Sequence, residues 1–181
     1  MTPTLIITMG PTGSGKSGLA KEMIRLLKIK NPLFFLIDDY VEKDEGYKRK
    51  VKKFSKRKNV NSSLRKPSKK TLKYFENAYF YTRKHGCKKR LQTKTIPRKK
   101  CIDLDKGGCD RSMSIDLNNA ILKGNNIVFE TTGGYYPTWL IEAIHKCEKY
   151  KIVIGGVKVS LQNLIKRNVG RSIDDMKRFL H

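Results

Sequence analysis

With 181 residues, 38% of them hydrophobic, the chain can build one α/β domain around its own core and is short for two. Its formal net charge of +24 makes polyanions the expected partners, whether nucleotides, nucleic acid or an anionic surface. No apolar run approaches the ~20 residues of a membrane span, and no secretion signal opens the chain. The expectation is no membrane insertion and a cytoplasmic address, with the basic clusters also fitting a nuclear one.

Residues 4–9 form an apolar, β-branched run closed by Gly10, which predicts a buried first strand. A glycine-rich turn follows, and over 16–28 the side chains Leu19, Met23, Leu26 and Leu27 recur on one helical face. Beyond Asn31-Pro32, residues 33–37 predict a continuous apolar strand ending on Asp38 and Asp39.

From Lys48 to Lys100 there are 22 Lys or Arg against one acid, Glu76, so this stretch holds nearly all the net charge. Residues 46–111 are therefore read as a basic, partly helical insertion within a single domain spanning 1–181, separable from the rest in function. Inside it Ser68 would cap a helix over 69–85, with Leu72, Phe75 and Tyr79 inward and Gly86 as its stop. The flanks read as solvated. Tyr74, Phe75, Tyr79, Phe80 and Tyr81, set among cations, suit either packing on the domain or stacking on unpaired bases. Cys87, Cys101, Cys109 and Cys147 are irregularly spaced, which predicts reduced thiols rather than a disulfide framework. The set His85, Cys87, Cys101 and Cys109 matches no common zinc spacing.

Helical periodicity returns at Ser114 through Ile115, Leu117, Ala120, Ile121 and Leu122, and stops at Gly124. Residues 126–130 predict a third buried strand, ending on Glu130. Pro137 opens a helix whose apolar face is Trp139, Leu140, Ala143, Ile144 and Cys147. Residues 152–159 predict a fourth strand, after which Ser160 caps a basic helix carrying Lys166 and Arg167. Strands alternating with helices imply a small parallel sheet covered on both faces. Ligands of such sheets bind at the carboxyl ends of the strands, and Gly10, Asp38 and Glu130 each sit at such an end.

The segment Gly10-Pro11-Thr12-Gly13-Ser14-Gly15-Lys16-Ser17 fits the phosphate-binding pattern G-x-x-x-x-G-K-S. Its glycines let backbone amides point at phosphate oxygens. Lys16 is placed to bridge the β- and γ-phosphates, and Ser17 to ligate Mg²⁺. Asp38 or Asp39 would take the proton of an attacking hydroxyl. Glu130, helped by Thr131 or Thr132, would orient the acceptor or water around Mg²⁺. Arg167 and Arg171 would stabilise charge on the transferring phosphoryl group. No Asn-Lys-x-Asp guanine-reading motif occurs, which disfavours a GTPase.

Together these elements resemble the zeta-toxin family of P-loop kinases, close to the polynucleotide kinases. The matching residues are Gly10–Ser17, Ile-Asp-Asp-Tyr at 37–40, Asn-Asn-Ile-Val-Phe-Glu-Thr-Thr-Gly at 125–133, Val159-Ser160-Leu161, and Arg167 with Arg171. They cover residues 1–45 and 112–172. The resemblance implies a P-loop NTPase fold and transfer of the γ-phosphate of ATP, with Mg²⁺, to a hydroxyl acceptor. It also implies that Asp38 or Asp39 is the base, that Glu130 and Thr131 touch the acceptor, and that Arg167 and Arg171 clamp the triphosphate. Here the two acids are adjacent, and the basic insertion stands where the family shapes its acceptor pocket. Two other readings follow: a nucleic-acid 5′-hydroxyl kinase, or a non-catalytic protein binding nucleotide and nucleic acid. In each, residues 48–100 supply nonspecific nucleic-acid attraction.

Overall fold

A computed structural model of the chain describes residues 2–57, 69–104, 107–132 and 137–168. Ser68 and Arg171 lie outside them. Four strands, β1 (Thr4–Met9), β2 (Leu33–Phe35), β3 (Ile127–Thr131) and β4 (Lys151–Gly156), form one parallel sheet in the order β2-β3-β1-β4. The helices are α1 (Lys16–Leu26), α2 (Ile37–Glu42), α3 (Glu45–Arg57), α4 (Lys69–His85), α5 (Lys88–Gln92), α6 (Gly108–Leu122), α7 (Thr138–Cys147) and a last one, α8, over 161–168.

Alternation along the central strands sends their side chains into two layers. Ile6 and Val128 pack with Ala20, Met23 and Ile24 of α1 on one face. On the other, Leu5, Ile7, Ile127 and Phe129 join the larger core with Leu117 and Ile121 of α6 and Leu140 and Ile144 of α7. The expected α/β sheet with helices on both faces is present.

Gly155 marks a place where α1 comes close to the sheet. A Cβ there would lie 2.8 Å from Met23 Sδ and 2.9 Å from a Leu19 methyl. Both atoms end flexible, partly buried side chains that can turn aside, so Gly155→Ala is expected to destabilise the fold by less than about 1 kcal/mol, read in a denaturant melt.

Several expectations are corrected. The second strand stops at Phe35, and Asp38 and Asp39 lie in the first turn of α2, where the helix dipole favours acids. It is an edge strand, and Leu33 and Phe34 on it are exposed. Over 45–57 the flank before α4 is helical rather than solvated loop: α3 packs Tyr47 and Val51 into the core and stacks Phe54 on Tyr74 at 4.1 Å. The helix after the insertion begins at Gly108 rather than Ser114. The fourth strand ends at Gly156 rather than at residue 159. Leu72 and Trp139, expected inward, are exposed.

The cysteines are also corrected. Cys87 bonds Cys109 and Cys101 bonds Cys147, leaving no free thiol among the described residues. Both bonds tie the basic stretch to α6 and α7, contacts made by the tertiary fold, which spacing along the chain does not encode. The four residues His85, Cys87, Cys101 and Cys109 are not gathered as one metal set. No helix among the described residues is long and apolar enough to cross a membrane.

Candidate active site

The chain turns from β1 into α1 through residues 10–15, and the backbone conformation explains the glycines. Gly13 and Gly15 have φ of 76° and 103°, the left-handed region in which a Cβ is strained. The turn is closed by Ser14 N–H donating to Pro11 O at 3.1 Å and anchored by Gly10 N–H donating to Thr131 O at 3.3 Å. Lys16 folds back over it, its ammonium donating to the carbonyls of Gly10 at 2.9 Å and Pro11 at 3.0 Å.

Beside the loop, β3 delivers Glu130, whose Oε2 accepts a 3.1 Å hydrogen bond from the Ser17 hydroxyl. Its Oε1 is buried with no hydrogen-bond partner among the described residues. Burial raises the Glu130 carboxyl above its ordinary range, against the lowering influence of Ser17 and Lys16. From the other side, Asp38 accepts a 2.6 Å hydrogen bond from the Tyr79 hydroxyl. Burial, with the Asp38 carboxylate in second place, pushes the Tyr79 phenol well above its usual range, so it stays a donor. Asp39 is half-exposed, 3.8 Å from the Lys43 ammonium.

All these groups open into one cleft of about 1590 Å³. Thr12, Gly13, Gly15, Lys16 and Ser17 line it together with Asp38, Asp39, Glu130, Thr131 and Thr132. Phe80, Arg83, Lys100, Trp139 and Lys146 line the same cleft. The strand ends expected to converge do so. No protein-family model and no curated protein matches this chain.

Two residues at the site escaped sequence reading. Tyr79 holds a site carboxylate, and Arg83 Nε donates to both carboxylate oxygens of Asp110 at 2.9 Å beside the same cleft. The signal was present: Phe75, Tyr79 and Arg83 recur every fourth residue, a stripe passing from apolar to polar as α4 reaches the cleft. The basic stretch is therefore not separable from the site, because its own helix supplies Tyr79, Phe80 and Arg83 to the cleft.

The end of α8, which carries the expected Arg167, reaches the loop. Arg167 Nη1 donates to Ser14 O at 3.1 Å, and a Cβ at Gly13 would run into Asn168 Oδ1. Ser160 begins this helix as expected, its hydroxyl accepting from Asn163 N–H at 3.4 Å.

The donor set suits an anion beside a hard cation. Loop amides, the positive end of α1 and the Lys16 ammonium favour phosphate. A hydroxyl, Ser17, and a carboxylate with an unpartnered oxygen, Glu130, are the hard oxygens Mg²⁺ takes. Asp38, held by a neutral phenol at the cleft wall, is suited to receive a proton.

Proposed function

We propose that the chain is an ATP-dependent phosphotransferase of the zeta-toxin type, a P-loop kinase that moves the γ-phosphate of ATP to a hydroxyl acceptor. The observation that carries this reading is the single cleft joining the glycine-rich loop to the carboxylates Asp38, Asp39 and Glu130. A loop that only bound nucleotide would not need three acids facing it, because acids near a triphosphate repel it unless a cation or a proton transfer uses them.

In this mechanism Lys16 leaves its loop carbonyls for the β- and γ-phosphates. Asp38 takes the acceptor's proton as the acceptor oxygen bonds to the γ-phosphorus and the bond to the bridging oxygen breaks, releasing ADP with that electron pair. Ser17 and Glu130 would hold Mg²⁺, directly or through water. The ion's contribution when bound is to neutralise charge on the phosphate oxygens. Thr131 helps Glu130 orient the acceptor. Arg167, poised over Ser14, is proposed with Arg171 as the clamp on the triphosphate.

A second reading, a nucleic-acid 5′-hydroxyl kinase, is favoured by the cations Lys100 and Lys146 lining the same cleft. Incubation with γ-labelled ATP and a panel of oligonucleotides, nucleosides and nucleotide-sugars tests both. Label is expected on one acceptor class. ATP binding with no label on any acceptor would leave the non-catalytic reading standing.

A further inference from the structure

A second concavity lies on the other side of α4 from the cleft. The helix lends Tyr79, Phe80 and Arg83 to the cleft, and Tyr81, Thr82 and His85 to a groove of about 460 Å³. The groove is completed by the start of α3 and by α5. Lys43, Arg49, Lys50, Lys88, Lys89 and Arg90 line it against two acids, Asp44 and Glu45.

Those acids are already engaged. Asp44 accepts the backbone N–H of Tyr47 at 2.9 Å and of Cys87 at 2.7 Å, and Glu45 pairs with Lys48 at 2.8 Å. Arg49, Lys50, Lys88 and Lys89 make no ion pair among the described residues, although all four carry charge into one small volume. Packing explains why they gather there. Val51 of α3 and Ala78 and Thr82 of α4 are buried, while Cys87 is bonded to α6, so the cationic sides of these elements converge outward.

The groove also presents an aromatic ring. Of the five aromatics of α4, Tyr74, Phe75 and Tyr79 are partly buried, whereas Phe80 faces the cleft and Tyr81 is 57% exposed at the groove. The Lys50 ammonium lies 3.5 Å from the Tyr81 ring centroid, and His85 stands 4.9 Å from it, tilted. A phosphate that draws Lys50 away uncovers a ring face on which a planar base stacks.

We infer that this groove binds single-stranded nucleic acid, with Arg49, Lys50, Lys88 and Lys89 on the phosphates and Tyr81 stacked on an unpaired base. Cations alone would suit any polyanion. The exposed ring among them favours a strand whose bases are open, since a duplex hides its base faces and a lipid headgroup has none. The site stands apart from phosphotransfer and does not rest on it.

Anisotropy of a labelled oligo(U) and a labelled oligo(dT), titrated with the full chain between about 50 and 200 mM salt, tests the inference. The exposed positions make the variants safe for folding. Lys88→Gln with Lys89→Gln should weaken binding about tenfold and flatten the log–log salt slope by roughly 1.4, two released counterions' worth. Tyr81→Ala should weaken it about fivefold or more while leaving the salt slope unchanged, because stacking releases no counterion. Lys16→Ala should leave strand binding intact, and its failure to do so would put the strand in the cleft and overturn the groove. Wild-type affinity in both groove variants overturns it as well. So does tighter binding of a duplex, or phosphatidylserine vesicles that displace the oligonucleotide while oligonucleotide fails to displace them.

Discussion

Lys16→Ala is expected to remove ATP binding and phosphoryl transfer together. Charge-assisted hydrogen bonds to phosphate are worth about 1.5–3 kcal/mol, which corresponds to a loss of roughly 10–100-fold in affinity. The transferring group gains further negative charge at the transition state, so turnover should fall by about 10²–10³ beyond that. The same ammonium ties the carbonyls of Gly10 and Pro11 in the free protein, and its removal loosens the loop. A thermal melt separates the two effects. Wild type should gain about 2.7 kcal/mol of stability with ATP at a hundred times its Kd, and the variant, at the same concentration, far less. Equal ATP stabilisation in both proteins would remove Lys16 from the site.

Asp38→Asn should do the opposite: nucleotide affinity within about twofold of wild type and kcat lower by about 10²–10⁴. Asparagine keeps an oxygen that accepts the Tyr79 hydrogen bond seen at 2.6 Å, so the wall of the cleft stays in place and the lost function is proton acceptance. Asp39→Asn should lower kcat less than about tenfold, since its exposed carboxylate lies beside Lys43 and is screened by solvent. Kinetics on both variants, with Kd for ATP measured separately, decides the assignment. A reversed pattern moves the base to Asp39.

The parts of the fold legible in advance were those whose physics is local. β1 was read at its full extent because a β-branched run ending in glycine has few alternatives, and α4 because its apolar spacing and its stop at Gly86 agree. The missed α3 carries the same kind of stripe, Tyr47, Val51 and Phe54, but five of the seven residues from Lys48 to Phe54 are basic. Charge density masked the period, and only packing on α4 reveals it. The end of β2 was misplaced because Ile37 suits strand and helix alike, and the adjacent acids tip it toward a helix start. In the site, the loop and the three acids were readable from residue type and position. Tyr79, Arg83 and the cysteine pairing were not, because each depends on which distant segment lies opposite.

The sheet ends in two strands that lack an outer neighbour among the described residues, and β2 displays Leu33 and Phe34. Such borders invite edge-to-edge association between molecules. At low ionic strength the +24 charge keeps copies apart, but repulsion is screened beyond about 8 Å at physiological salt and about 3 Å at 1 M. Colloidal behaviour should therefore run against common practice for basic proteins: salt added to strip bound polyanion also removes the barrier protecting the open border of the sheet.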